Sequence, residues 1–377
     1  MECANNYNKI YGCLIGGAIG DALGYPVEFL CYKEILNRFG SKGITEFVLK
    51  NGLAEISDDT QMTLFTAESL LFATTRFRLR GIIGSPEDYT YSFYLHWLKT
   101  QGRVSEALPA CSSWLVNVDQ LNNTRAPGNT CLRSLINGKM GTVENSINDS
   151  KGCGTVMRVA PIGLYCRPER VFEYGVNNGA LTHGHPLGYL SSGLLAFIIS
   201  GIINVENCDL ESIINSSNEY LKYMQKKNGY DERSIAQLSE IISKAISLSH
   251  SDIKPIDAIE QIGEGWVAEE ALAIAVYCSL KNTRSFENAI IDAVNHSGDS
   301  DSTGAITGNI MGAYLGFSSI PEKFIENLEL KEVIEEISKD LSSNITVSEF
   351  SNDDTEEERI WLQKYLYGSY KKHNTDL

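Results

Sequence analysis

The sequence lacks the clustered lysines and arginines that a nucleic-acid surface requires: 32 basic residues stand against 48 acidic ones, for a formal net charge of −16. Neutralising phosphates takes concentrated positive charge, so no nucleic-acid partner is expected. An anionic small ligand would need local help from a metal, backbone N–H groups or a single placed arginine. Paired cysteines are lacking too. Nine cysteines are scattered without CxxC spacing, which suits reduced thiols in a cytoplasm better than a disulfide framework or a zinc site. Uninterrupted apolar runs of about 18 residues are missing, so no bilayer crossing and no membrane partner are expected. The early apolar stretch IYGCLIGGAIGDALG is preceded by one basic residue, Lys9, and broken by Asp21. It has no cleavage-site context, and secretion is not expected.

Alternating β-type runs are also rare, and helical periodicity takes their place. From Asp59, DTQMTLFTAESLLFATT sets Met62, Leu64, Phe65, Ala67, Leu71 and Phe72 on one side, with Ser57 or Asp58 placed to cap the helix. Further helices are expected at 186–202, 209–225, 233–249, 269–280, 286–295, 303–317 and 330–341. The chain reads as all-α. Residues 204–260 look like a solvated helical excursion, and 335–377 form an acidic and then aromatic C-terminal segment. Neither has linker composition, so 1–377 is read as one domain. Two segments carry glycines every fourth residue: Gly12, Gly16, Gly20 and Gly24, and Gly304, Gly308, Gly312 and Gly316. Glycine inside a helix costs about 1 kcal/mol relative to alanine, so each rib implies a face that another backbone approaches closely.

Two short acidic stretches precede helices. NHSGDSDSTG, 295–304, begins like a calcium loop with Asp299, Asp301, Thr303 and Gly304, but the bidentate acid required at its twelfth position is Ile310. EISDDTQM supplies Ser57, Asp58, Asp59 and Thr60. Alone, each is more simply a helix cap, with Ser302 or Asp301 capping a helix over 303–317. Together they offer four carboxylates with no cation nearby in sequence, an arrangement very costly to bury without a positive ion. Oxygen-only ligands select a hard divalent ion, Mg²⁺ or Mn²⁺, and a pair of such ions suits hydrolysis of a phosphate or sugar linkage.

Glycine-bearing irregular stretches suggest backbone exposed to a ligand: RAPGNTC at 125–131, SKGCGTVMRVAP at 150–161, THGHP at 182–186 and GEGWVAEEAL at 263–272. Taken singly, His183 and His185 read as loop or capping histidines, Trp266 as core, and Cys153 as a thiol without a demonstrable base. Glu28, in GDALGYPVEF, reads equally as a surface acid or as a group pointing into a site.

Taken in order, GGAIGDALGYPVEF, SDDTQM, RAPGNTC, SKGCGTVMRVAPIGL, THGHP, GEGWVAEEAL and GDSDSTGAITGNIMGAYLG resemble the ADP-ribosylglycohydrolase family over residues 10–317. SKGCG and GDSDSTG are closer to its arginine-specific branch than to the branch acting on serine-linked and polymeric ADP-ribose. The resemblance implies an all-α fold of orthogonal helices around a dinuclear cleft. Its metal ligands would be Ser57, Asp58 and Asp59 from one side and Asp299, Asp301 and Ser302 from the other, with Asp301 bridging and Thr303 the alternative hydroxyl. Asp58 or Asp59 would direct the water, and Glu28 would contact the ribose or move a proton. Asn129, Ser150, Lys151, Gly152, Cys153 and Gly154 would line the ADP-ribose site with His183, Gly263, Gly265 and Trp266, the 150–154 loop offering N–H groups to the pyrophosphate. The implied activity is release of ADP-ribose from arginine side chains of modified proteins by a monomeric enzyme using two Mg²⁺ or Mn²⁺ ions. Asn129 stands where some relatives carry an acid, and Cys153 where the serine-directed branch has asparagine. A second reading is an immunity-type protein that binds and neutralises an ADP-ribosyltransferase.

Overall fold

Among the described residues, sixteen α-helices, six short 3-10 turns and one hairpin of two-residue strands, Leu49–Lys50 and Leu53–Ala54, make up the regular structure of the computed structural model, which describes residues 2–81, 84–205, 209–343, 347 and 355–369. Parts of the acidic C-terminal segment (344–346, 348–354, 370–377) and 206–208 in the expected excursion lie outside the described residues. Seven helices carry or brace the site: α1 (Glu2–Gly24), α2 (Asp58–Arg80), α3 (Asn129–Ile136), α4 (Pro186–Asn204), α5 (Ala268–Lys281), α6 (Ser300–Leu315) and α7 (Lys331–Ser342). The excursion is helical as expected, at Leu210–Asn228 and Glu232–Ser249. Each presents one apolar side, including Ile214, Leu221, Leu238 and Ile242, to the core.

The glycine ribs explain the centre of the molecule. Helices α1 and α6 run antiparallel, and a β-carbon placed on Gly12 would stand 2.3 Å from the Gly312 carbonyl oxygen, one on Gly20 only 1.9 Å from that of Gly304. Only hydrogen side chains permit such contact. The expected fourth rung is different: Gly24 meets the Ser300 carbonyl, while Gly316, with φ of 80°, ends α6 beside the Asn8 side chain. This direct backbone contact brings the C-terminal end of α1 next to the N-terminal end of α6, the end that bears the second acidic stretch.

Two segments, Asn6–Val27 and Pro186–Asn204, are long and apolar enough to cross a membrane, but 89% and 78% of their apolar windows are buried against the rest of the chain. They are core helices in this fold.

Glu68, facing inward from α2, accepts hydrogen bonds from the Ser113 hydroxyl at 2.5 Å and the Trp114 N–H at 2.7 Å. Burial pushes its carboxyl up to about 8. A carboxyl raised in the folded state contributes stability in full below its unfolded value and loses that contribution as pH climbs through the folded one. The melting temperature of Glu68→Gln relative to the parent is therefore expected to rise between about pH 5 and about pH 9. A flat difference across that range would mean that Glu68 is already ionised in the fold.

Candidate active site

Three chain segments converge on a buried acidic centre. Helix α1 ends at Gly24, and the turn that follows delivers Glu28, which is buried. Ser57 caps α2, its hydroxyl accepting the Asp59 N–H at 3.2 Å, so Asp58 and Asp59 occupy the first turn. At the third segment the structure corrects the expected boundary: α6 begins at Ser300, not at 303, and Asp299 is the cap. Gly298, with φ of 133°, breaks the chain there, and the Asp299 side chain takes the Ser302 N–H. Asp301 and Ser302 thus lie inside the helix, where Asp301 Oδ1 accepts the same N–H at 3.0 Å.

Ligand oxygens of Glu28, Asp299 and Asp301 lie within 4.8 Å of one another, a group that includes Glu28, which the sequence placed beside the ligands. Ser57 also lowers the Asp301 carboxyl, and the Asp301 charge raises Asp58 and Asp59, which sets the two acidic stretches side by side. The Thr303 hydroxyl, the alternative one, points back into its own surroundings: its single proton is shared between the Asp299 and Ala293 carbonyls, each 2.8 Å away, and His296 Nε2 lies 2.9 Å from its oxygen. The Ser302 hydroxyl instead faces Asp299 and Cys153.

Asp21 escaped the sequence reading as a site residue. It is fully buried on α1 and accepts from the Ser57 N–H (2.8 Å), the Thr60 N–H (3.1 Å) and the Thr60 hydroxyl (2.5 Å). It therefore holds the start of α2 against α1. Its signal was available, since it is the one acid inside the glycine-ribbed apolar stretch.

Burial raises all six carboxyls, and the charge of Asp301 raises Asp21, Glu28, Asp58, Asp59 and Asp299 further. Among the described residues none of the six has an ion-pair partner. Glu28 Oε2 and Asp59 Oδ2 are buried without any hydrogen-bond partner. Oxygen donors concentrated in this way, with orphaned lone pairs, fit a hard divalent cation.

The surrounding loops are tied to this centre. The Asp58 N–H donates to the Arg125 carbonyl at 3.0 Å, and Asp58 Oδ2 accepts the Gly128 N–H at 3.1 Å. Arg125 in turn pairs with Glu329 at 3.0 Å and Glu55 at 3.2 Å, which fixes the 125–129 stretch. Asn129 follows, exposed, as the first residue of α3. One turn of α3 borders a hollow of about 720 Å³ lined by Thr130, Arg133, Asn137, Lys139, Asn148 and Ser150.

The 150–154 loop pairs with the 263–267 loop. Gly152 bridges Val267, the Cys153 N–H donates to the Trp266 carbonyl at 3.2 Å, and the Ala268 N–H donates to the Lys151 carbonyl at 2.8 Å. The N–H groups of Ser150 and Gly152 are also taken, by Asn148 Oδ1 and the Ser150 hydroxyl. With Cys153, that leaves fewer donors for an anion than the sequence suggested. The Lys151 ammonium is paired with Glu269 at the start of α5. Burial, then the charges of Asp299 and Asp59, hold the Cys153 thiol protonated, which rules against a thiolate nucleophile. His183 is buried beneath the loop with Nδ1 on the Thr182 hydroxyl, and burial lowers it to about 3, so it is neutral. His185 caps α4 by accepting the Leu187 N–H. Gly263 and Gly265 have φ of 154° and 85°, and the Glu270 carboxylate takes the Glu264 and Gly265 N–H groups. Trp266 is not core: it is 38% exposed and stacks on Phe29.

Helix ends that deliver buried oxygen donors to one point define a class of all-α proteins with a centre suited to a hard divalent cation. More particularly, the chain belongs to the ADP-ribosylglycohydrolase family, whose profile matches residues 2–349, and that family is one of hydrolases. It is 26% identical over 347 residues to ADP-ribosylarginine hydrolase Tri1 of Serratia proteamaculans, covering 90% of this chain and 80% of that one. It is 25% identical over 337 residues to ADP-ribosyl-[dinitrogen reductase] glycohydrolase of Rhodospirillum rubrum, covering 86% and 92%. A solved ADP-ribosylglycohydrolase-related protein complex has the same fold, with a TM-score of 0.55 at 20% identity over 90% of this chain and 98% of that one.

Proposed function

We infer that this chain hydrolyses the N-glycosidic bond between ADP-ribose and arginine side chains of modified proteins. The observation that carries the reading is the convergence of Glu28, Asp299 and Asp301, with the Asp58–Asp59 turn near enough for the Asp301 charge to raise both of its carboxyls. A relative named for ADP-ribosylarginine supports that linkage. Two divalent ions, Mg²⁺ or Mn²⁺, held by Ser57, Asp58 and Asp59 from one wall and Asp299, Asp301 and Ser302 from the other, would supply Lewis acidity and fix the ribose hydroxyls when bound.

The chain's own groups divide the remaining work. Asp58 Oδ2 already accepts the Gly128 N–H, whereas Asp59 Oδ2 has no partner, so Asp59 is the acid that orients the attacking water and takes its proton. The water oxygen bonds the anomeric carbon as the carbon–nitrogen bond breaks. The departing electron pair goes to the guanidine nitrogen, which then picks up a proton. Glu28 and Asp301 favour the positive charge that develops at the sugar during this exchange. The adenosine diphosphate end extends past Ser150 towards the hollow, where Arg133 and Lys139 offer positive charge.

Arginine-, serine- and polymer-linked ADP-ribose, each offered with Mg²⁺ or Mn²⁺ and again with chelator, test the assignment. Release from the arginine linkage alone, abolished by chelator, is expected. Release confined to serine or polymer linkages rejects the arginine reading, and release that survives chelation rejects the metal.

A further inference from the structure

Phe29 is 73% exposed although the preceding residue, Glu28, is buried in the acidic centre. Its ring stacks on Trp266, with centroids 5.8 Å apart and planes 18° from parallel. The two aromatics come from different segments, Phe29 from the turn after α1 and Trp266 from the 263–267 loop. Trp266 follows Gly265, whose backbone is pressed against α6 so closely that a β-carbon there would stand 2.9 Å from Thr303 Cγ2 and 3.5 Å from Asp299 Cβ. The loop carrying Trp266 is further fixed by the Glu270 carboxylate and by the Cys153 N–H. A single exposed phenylalanine is unremarkable on a protein surface. A near-parallel aromatic pair on the solvent side of a cluster of buried carboxylates is a specific chemical feature, because aromatic faces in acidic surroundings take up planar, delocalised cations.

Resting on the hydrolase reading above, we propose that Phe29, backed by Trp266, forms an acceptor subsite that stacks on the guanidinium of the modified arginine, selecting a planar cationic acceptor over a hydroxyl one. The arginine lies on the leaving-group side of the scissile bond, which must face solvent because it remains attached to a protein. Phe29 meets that requirement, being next in sequence to a site acid and itself at the surface. A serine acceptor presents no planar cation and gains nothing from the ring. The contact selects the acceptor and leaves the sugar chemistry to the carboxylates.

Steady-state release from an arginine-ADP-ribosylated peptide by the parent, Phe29→Ala and Phe29→Tyr, together with calorimetric binding of free ADP-ribose to each, tests the assignment. Phe29→Ala is expected to raise KM about 10-fold with kcat little changed, the size of a partly desolvated cation–π contact. Phe29→Tyr should restore the parental KM, and affinity for free ADP-ribose should be the same in all three. An unchanged KM in Phe29→Ala, or an equal loss of affinity for free ADP-ribose, overturns the acceptor subsite. A parent that releases nothing from arginine while hydrolysing another linkage overturns the hydrolase reading of the linkage and this inference with it. A parent active on arginine with an indifferent Phe29→Ala overturns this inference alone.

Discussion

Valine at Gly308 is expected to leave no stably folded chain, and alanine there to cost more stability than alanine's helix preference returns. A β-carbon on Gly308 would stand 2.0 Å from the Gly16 carbonyl oxygen, so α1 and α6 would have to part by roughly an ångström or more, a gap that forfeits a quarter to a half of each van der Waals contact along the seam. The obstacle is backbone rather than a side-chain end that could rotate away. Overpacking a well-filled interior costs about 1–3 kcal/mol and more when nothing can yield, against a total stability of about 5–15 kcal/mol. The helix-propensity gain from Gly→Ala is about 1 kcal/mol, so the two effects oppose each other and the sign decides. Urea unfolding midpoints of the parent and Gly308→Ala provide the measurement. A variant as stable as the parent would mean that the helices are not in backbone contact.

The same packing accounts for what could be read in the sequence. Every-fourth-residue glycines announce a close helix approach without naming the partner. The register, Gly12 to Gly312, Gly16 to Gly308 and Gly20 to Gly304, follows only once the helices are antiparallel. Helical periodicity and capping residues placed the eight expected helices to within about five residues, because those signals are local, but others, such as Pro86–Thr100 and Val171–Ala180, were not expected. The misplaced start of α6 has a local cause too: four consecutive polar residues, Asp299 to Ser302, can each cap, and the break at Gly298 decides between them. Asp21 and Glu269 were missed because their partners, the Ser57 and Thr60 N–H groups and the Lys151 ammonium, are supplied by other segments. Arg158, in a stretch that looked open to ligand, is completely buried. It bonds Asn178 and Thr182 and lies over the Tyr94 ring. A motif can mark the neighbourhood of a site while one of its most conspicuous side chains serves the scaffold.

Asp301→Asn is expected to lose activity while gaining stability in chelator, a combination that separates a site residue from a structural one. The charge of Asp301 disfavours ionisation of five neighbouring carboxyls, Asp21, Glu28, Asp58, Asp59 and Asp299, which places it at the centre of the group. Removing one of several mutually repelling buried charges relieves the apo protein, so its melting temperature in chelator should rise. The same substitution deletes a central oxygen donor. Loss of an outer-shell partner typically costs 10–100-fold in metal affinity or activity, so loss of this group should exceed about 100-fold in ADP-ribose release. Stabilisation by Mg²⁺ or Mn²⁺, which follows from binding the folded state alone, should shrink or vanish in the variant and persist in the parent. A variant that melts lower in chelator and keeps its metal-induced stabilisation would assign Asp301 to the scaffold and move the centre of the site towards the Asp58–Asp59 turn.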